Sequence, residues 1–391
     1  MSRARIFLYV QHLLGIGHLQ RAATLARACA AAGLDVTLAS GGRGVPGAIP
    51  AGVEYVQLPP VSAADASFKR LVDEFGAPID EGWKERRREA LLAAWRAARF
   101  QALVLELFPF GRRQMRFELL PLLEAAAGAM PRPLIVSSVR DLLSGAARKP
   151  GRDAETLALL ERYFDRVLVH GDPALIDFGR GFEPVARIAS KLCYTGYVVE
   201  PILARAPREA AGAGEVLISA GGGAVGRRLL ETAIRARPLS MLAAHRWRVL
   251  AGIHAEPADL AALEALAAGI GGGRIVIERA RADFPQLLAE CAVSVSQAGY
   301  NTVAETLQAR ARAIVVPFAG GSETEQGLRA RLLGERGLLE VVEESALTPF
   351  ALAAAIDRAA RRARPESGSI DLDGAAHSAA LLARWTRGES R

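Results

Sequence analysis

Short apolar runs bounded by turn residues recur along the whole chain, and helical apolar patterns separate them. Arg5–Val10 reads RIFLYV. It is followed by the turn His12–His18 and by apolar positions at helical spacing from Leu19 to Ala32, with Gly33 to end the helix. Val36–Ala39 opens the next run. A second unit of the same kind begins at Glu215–Ser219, passes through Gly221–Gly223 and enters a helix at Arg227–Ala236. Further strands are expected at Val53–Leu58, Ala102–Glu106, Leu134–Ser138, Arg166–His170 and Val185–Ala189 in the first half. In the second half they are expected at Trp247–Ala251, Ile275–Ile277, Val293–Ser296, Ala313–Val316 and Leu339–Val342. Several of these runs lack alternation, as strands buried on both faces do. Alternating strands and helices predict α/β layers with parallel sheets.

Two halves of this kind imply two Rossmann-like domains. The first spans 1–198, with an insertion at about 60–100 where Pro59-Pro60 breaks the rhythm and Lys84–Arg99 reads as an Arg-rich helix. A linker is expected at 199–214, which holds Pro201, Pro207 and the Gly/Ala stretch Ala210–Gly214. The second domain covers 215–365. The polar stretch Pro365–Gly374 sets apart a closing helix, His377–Trp385, within a tail at 366–391 that is set to return to the first domain.

The chain has 391 residues and is 51% hydrophobic, enough for two cores. At 23% charged it is an ordinary globular composition. Net charge is +7, carried almost wholly by arginine; lysine occurs only at Lys69, Lys84, Lys149 and Lys191. A basic balance favours an anionic partner, although solvated arginines on exposed faces account for it equally well. Cys29, Cys193 and Cys291 are far apart and show no disulfide or metal spacing, which suits a reducing cytoplasm. Ile6–Val10 is too short for a signal segment, and no long apolar run is present to span a membrane.

Three stretches carry candidate chemistry. In HLLGIGHLQRA, Gly15 and Gly17 allow close backbone approach, and His18 and Arg21 lie at the carboxyl end of the first strand, where ligands of open parallel sheets gather. A neutral His18 there can take a proton; the plain alternative is a capping or core histidine. In LISAGGGAVG, Gly221, Gly222 and Gly223 form a diphosphate cradle at a helix N-terminus, or else a simple tight turn. The spacing is not the dinucleotide fingerprint. In SVSQAGYNTVAETLQ a strand ends near Gln297 and Gly299, and a helix begins near Asn301 and Thr302. Glu305 lies one turn inside, where a carboxylate can accept two ribose hydroxyls. The following loop carries Glu323, Glu325 and Gln326, suited to sugar hydroxyls. At the strand ends of the first half stand Glu106, Arg112, Ser138, Arg140 and His170. Glu106 can act as a base or orient His18, and Arg112 and Arg140 can bind an acceptor phosphate. For each, a cap, ion pair or turn is an equal alternative. Arg281 and Ala282 are placed beside the donor base by position alone.

Gly299, Thr302, Val303 and Glu305, with Pro317-Phe318 and Gln326 beyond, resemble the donor motif of the GT-B glycosyltransferases of family 28. One bacterial relative there adds N-acetylglucosamine to a lipid-linked muramoyl-pentapeptide. The resemblance implies two domains facing a cleft and a nucleotide-diphosphate sugar, UDP-linked, as co-substrate. It also implies inverting transfer without metal or other cofactor, and a cytoplasmic enzyme at the inner face of the membrane. The loop GIGH, Gly15–His18, is instead similar to the GxGHxxR loop of nucleotide-sugar hydrolases of the pseudaminic-acid pathway. That similarity would give His18 the activation of water. Residues 60–100 and Glu106–Arg116 match neither pattern. Hydrolysis and 2-epimerisation are therefore alternatives. A binder of anionic surfaces or nucleic acid through Lys84–Arg99 is the non-enzyme alternative.

Overall fold

The computed structural model describes residues 3–65, 70–143, 151–202, 213–220, 226–252, 255–270, 273–320, 324–366, 368 and 370–389. The chain divides into two compact units. The first gathers Met1–Leu143, Ala147–Val198 and Asp371–Arg391, and the second is built on Val199–Ile370.

The first unit runs β1 (Arg5–Val10), α1 (Gly17–Ala31), β2 (Asp35–Ser40), β3 (Glu54–Gln57), a small hairpin of β4 (Ser62–Ala63) and β5 (Leu71–Val72), α2 (Glu81–Arg96), β6 (Ala102–Glu106), α3 (Arg116–Ala127), β7 (Leu134–Arg140), α4 (Arg152–Tyr163), β8 (Arg166–His170) and β9 (Leu192–Tyr194). Its seven-stranded sheet has the order β3-β2-β1-β6-β7-β8-β9. Every pairing is parallel, with Leu8 opposite Leu38 on one side and Val104 on the other. Strand order reverses at β1 and β6. Alternation along β1 divides its side chains between two cores. Ile6, Leu8 and Val10 pack with Leu19, Leu25 and Cys29 of α1. Phe7 and Tyr9 face Trp83, Leu91 and Trp95 of α2 and Leu119 and Leu122 of α3.

The second unit runs β10 (Val216–Ser219), α5 (Arg227–Ala236), β11 (Trp247–Ala251), α6 (Pro257–Gly269), β12 (Ile275–Arg279), α7 (Phe284–Glu290), β13 (Val293–Ser296), α8 (Tyr300–Gln308), β14 (Ala313–Val315), α9 (Glu325–Glu335), β15 (Glu340–Val341) and α10 (Pro349–Arg361). Its sheet, β12-β11-β10-β13-β14-β15, is also parallel throughout and reverses at β10 and β13. Leu230 and Ile234 of α5 and Leu352 and Ile356 of α10 cover one face, over Val216, Val249 and Val295. On the other, Leu287 and Leu288 of α7 pack with Leu217 and Leu250. A last helix, α11 (Gly374–Thr386), belongs to the first unit, where Ala379 and Leu382 lie in the α1 core.

One expectation is corrected. Val185–Ala189 is not a strand. It lies in a 3-10 stretch, Glu183–Lys191, with Pro184 at its start, and the edge strand is Leu192–Tyr194 instead. Within the stretch at 60–100, expected as an insertion, α2 supplies Trp83, Leu91 and Trp95 to the first core. Not every arginine of Lys84–Arg99 faces solvent. Arg87 is fully buried. Its Nε donates to Glu118 at 2.7 Å, and its Nη groups reach Gly41 O, Gln11 Oε1 and Glu118 at 2.8–2.9 Å. Tyr9 donates its hydroxyl to the same carboxylate. Gly41 leaves the room: a Cβ there would collide with the Arg87 guanidinium and Gln11.

Candidate active site

In the first unit the turn after β1 leads directly into α1, so His18 is the second residue of that helix, and Gly17 the first. Glu106 is the last residue of β6, the neighbour of β1 at the reversal of strand order. Such a reversal is where open parallel sheets hold ligands. The two side chains meet there. His18 Nδ1 lies 3.0 and 2.9 Å from the two oxygens of Glu106. The carboxylate is almost completely buried and also accepts from Arg21 Nη2.

This geometry fixes the tautomer: Nδ1–H donates to Glu106, so the lone pair of the neutral ring stands on Nε2. Burial pushes the His18 pKa down to about 3, opposed by Glu106 and assisted by the charges of Arg112 and Arg140. A helix N-terminus also disfavours imidazolium. Glu106 is held below the usual carboxylate range: burial raises it, but His18, Arg21 and Arg112 prevail. The pair is thus a neutral imidazole backed by an anionic carboxylate, the arrangement of a general base.

Other residues expected on the acceptor side have different surroundings. His170 is completely buried, with Nε2 2.8 Å from Ser138 Oγ and Nδ1 2.9 Å from Thr195 Oγ1. Burial, then the charge of Arg21, lowers its pKa to about 3. Ser138 and His170, expected on the acceptor side, hold each other inside the unit. Arg140 ends β7 opposite His170. Arg112 donates Nε to Gln11 O at 2.8 Å.

In the second unit, β13 ends at Ser296 and α8 begins at Tyr300 with Gly299 as its cap residue. Gln297, Asn301 and Thr302 occupy this junction, beside the β10–β13 reversal. Glu305 is partly buried in α8. Burial, followed by the charge of Glu200, raises its pKa to about 7. Gln326 accepts at Oε1 from the backbone N–H of Ala298 and of Phe318, both at 3.1 Å. Its carboxamide thereby joins the loops after β13 and β14.

Glu325 departs from the expectation of a sugar-facing loop carboxylate. It opens α9, is buried, and pairs with Arg329 at 3.7 Å. Arg329, itself buried, donates to Ala298 O at 3.1 Å and stacks over Tyr300. This brace was not expected; its signal was Glu325 four residues before Arg329 on one helix face. Arg281 is held by Glu278 at 3.1 Å and Asp283 at 2.8 Å, so its guanidinium is engaged in ion pairs, and Ala282 beside it is exposed. Gly221, Gly222, Gly223 and Glu323 lie outside the described residues. Past them, Gly226 has φ 151°, and a Cβ there would stand 2.5 Å from that of Ala220. Among the described residues, no group of three or more His, Cys, Asp or Glu is placed to hold a metal ion. None of the described helices is long and apolar enough to cross a membrane.

Residues 276–371 match the glycosyltransferase family 28 C-terminal domain. Over that segment the second unit is similar to a family 28 carboxy-terminal domain. The matched segment contains β13, α8, β14 and α9, and so Glu305 and Gln326. The chain is 30% identical over 172 residues to the UDP-N-acetylglucosamine–N-acetylmuramyl-(pentapeptide) pyrophosphoryl-undecaprenol N-acetylglucosamine transferase of Methylobacterium nodulans. That match covers 43% of this chain and 46% of the relative, about half the length of each. Among solved structures, the chain is similar to a UDP-glucosyltransferase from Polygonum tinctorium, with TM-score 0.60, 18% identity and coverage of 100% of this chain and 99% of that one. It is likewise similar to MurG of Acinetobacter baumannii, with TM-score 0.56, 14% identity and coverage of 98% and 99%. These likenesses establish the GT-B fold.

Proposed function

We propose that the protein is an inverting, metal-independent glycosyltransferase that uses a UDP-linked sugar. The observation that carries this reading is the position of Glu305 in the family 28 segment, on the helix that follows β13 at the reversal of the second sheet. There its carboxylate can accept both ribose hydroxyls, and Gln297, Gly299, Asn301 and Thr302 line the same junction. The Gly221–Gly223 turn before α5 would receive the diphosphate on backbone N–H groups. Gln326 would set the sugar through its carboxamide, with Glu325 and Arg329 bracing it.

The first unit supplies the base. His18 Nε2 takes the proton of the acceptor hydroxyl, whose oxygen attacks the anomeric carbon. The bond from that carbon to the diphosphate oxygen breaks, and its electron pair leaves with UDP. Glu106 stabilises the imidazolium so formed. The one-step displacement inverts the anomeric centre. The chemistry needs no cofactor, since Gly-rich turns and a helix N-terminus can receive the leaving charge. The Methylobacterium nodulans relative acts, by its name, on a pyrophosphoryl-undecaprenol acceptor. A lipid-linked acceptor and a cytoplasmic enzyme peripheral to the membrane are the corresponding proposals for this chain.

The decisive assay incubates the enzyme with UDP-N-acetylglucosamine or UDP-glucose, with and without candidate acceptors, and follows UDP, free sugar and product anomer by NMR. Acceptor-dependent UDP release with inversion is expected. Retention would overturn the mechanism. A second reading, nucleotide-sugar hydrolysis, is favoured by the GIGH loop with His18 held by Glu106, since water can replace the acceptor at Nε2. Free sugar released without acceptor at the full rate would select it.

A further inference from the structure

Two arginines of the first unit are treated oppositely by their surroundings. Arg87 has donors on all three nitrogens occupied, and its partners Glu118 and Tyr9 lift its pKa. Arg112 is partly buried, and its pKa is lowered, first by burial, opposed by the nearby Glu106 carboxylate and assisted by the charge of Arg140. Among the described residues its only hydrogen bond is from Nε to Gln11 O, and its Nη groups make no ion pair. Arg113 and Arg116, next along the chain, both pair with Glu155. Arg112 does not.

The backbone holds it that way. Arg112 has φ 58°, one of three non-glycine residues in the left-handed region among the described residues. An L residue pays about 1 kcal/mol there. Such conformations persist where the surroundings enforce them, and they gather at functional sites. The carbonyl of Gln11, just past β1, anchors the side chain at Nε and leaves the outer fork of the guanidinium unbonded. Its charge reaches both members of the catalytic pair, lowering the pKa of His18 and of Glu106. The one carboxylate in this group, Glu106, is already bonded to His18 and Arg21. A half-buried guanidinium fork beside a base, with no carboxylate hydrogen-bonded to it among the described residues, is a receptor for a planar or tetrahedral oxyanion.

We propose that Arg112 binds an oxyanion, carboxylate or phosphate, carried by the acceptor, and so restricts acceptors to anionic alcohols whose hydroxyl lies against His18. The proposal rests on the glycosyl-transfer reading for the word acceptor, but the anion site itself does not. The segment that bears it, Glu106–Arg116, is one of two stretches of the first unit, with residues 60–100, that match neither family pattern.

Calorimetric titrations with inorganic phosphate, pyrophosphate and acetate test it, on wild type, R112N, R112G and R112K, each with UDP present to occupy donor-side anion contacts. Asparagine and glycine both tolerate the left-handed backbone, so R112N and R112G remove the guanidinium without new strain. Wild type is expected to bind at least one probe. R112N and R112G should weaken it at least tenfold, and R112K should fall between. Preference for pyrophosphate or for acetate tells a phosphorylated acceptor from a carboxylated one. The proposal is overturned if wild type binds none of the three, or if R112N binds as tightly as wild type. Should both neutral variants fail to fold, unchanged affinity in R112K overturns it. Absence of UDP binding by wild type would sink the glycosyltransferase reading alone.

Discussion

Burial neutralises both His18 and Glu305, and the two effects have opposite signs in pH. The pKa of His18 falls to about 3, so the unfolded chain binds the extra proton between that value and the ordinary 6.5. Its contribution to stability is present above pH 6.5 and lost as pH falls toward 3. The pKa of Glu305 rises to about 7, so the folded state holds the extra proton between 4.5 and 7. Its contribution is present below pH 4.5 and lost as pH rises through 7. E305Q should therefore be more stable than wild type at pH 8, by about 3 kcal/mol, and no more stable at pH 4.5. Urea denaturation at the two pH values checks this. At His18, H18A should lower kcat by about 10²- to 10⁴-fold with UDP affinity unchanged. A fully active H18A would remove the histidine from the mechanism. His18 and Glu305 were legible as chemistry from their places after strands. Glu106 was legible as a group that could orient His18, but the contact itself, at Nδ1 and across eighty-eight residues, depends on the adjacency of β1 and β6. Glu325 misled for a related reason: a carboxylate in a polar stretch reads as solvated until its buried partner Arg329 is seen.

Helix α2 shows what a linear reading of charge misses. Its run of arginines suggests a basic face, yet Trp83, Arg87, Leu91 and Trp95 recur every four residues and form the buried stripe. Arg87 lies within that stripe and meets Glu118 of α3. Removing one member of a buried ion pair leaves the other unpaired, at about 3–5 kcal/mol. R87M should show that loss in urea denaturation, and R87M/E118L should recover much of it. A cost in R87M as small as that of R88M would show that the buried pair contributes little. Strands were legible where Val, Ile and Leu are dense, as in β1, β6, β8, β11 and β13. Leu192–Tyr194 was not, since a three-residue edge strand that pairs only with β8 carries almost no pattern. Val185 and Ile188 imitated a strand while packing from a 3-10 turn.

Over the whole chain, each unit has its own cores on both faces of its sheet, and the sequence is not divided in order. The last helix, α11, belongs to the unit that β1 begins, and covers α1 with Ala379 and Leu382. Deleting Asp371–Arg391 strips that cover from α1. Calorimetry should then show the first unit melting earlier, with the second unit's transition and its response to UDP intact. A uniform shift of both transitions would contradict independent cores. The parallel alternation that implied two Rossmann-like halves was legible from the apolar runs alone, because sheets buried on both faces leave that mark. Strand order was not, since it depends on pairings between distant segments.

In the second unit, Glu305 one turn inside α8 is the residue through which the nucleotide is held. Titrating UDP into wild type and E305A by calorimetry measures this. Saturable binding by wild type and at least tenfold weaker binding by E305A are expected. Equal affinity in the two proteins, or no binding by wild type, would contradict it.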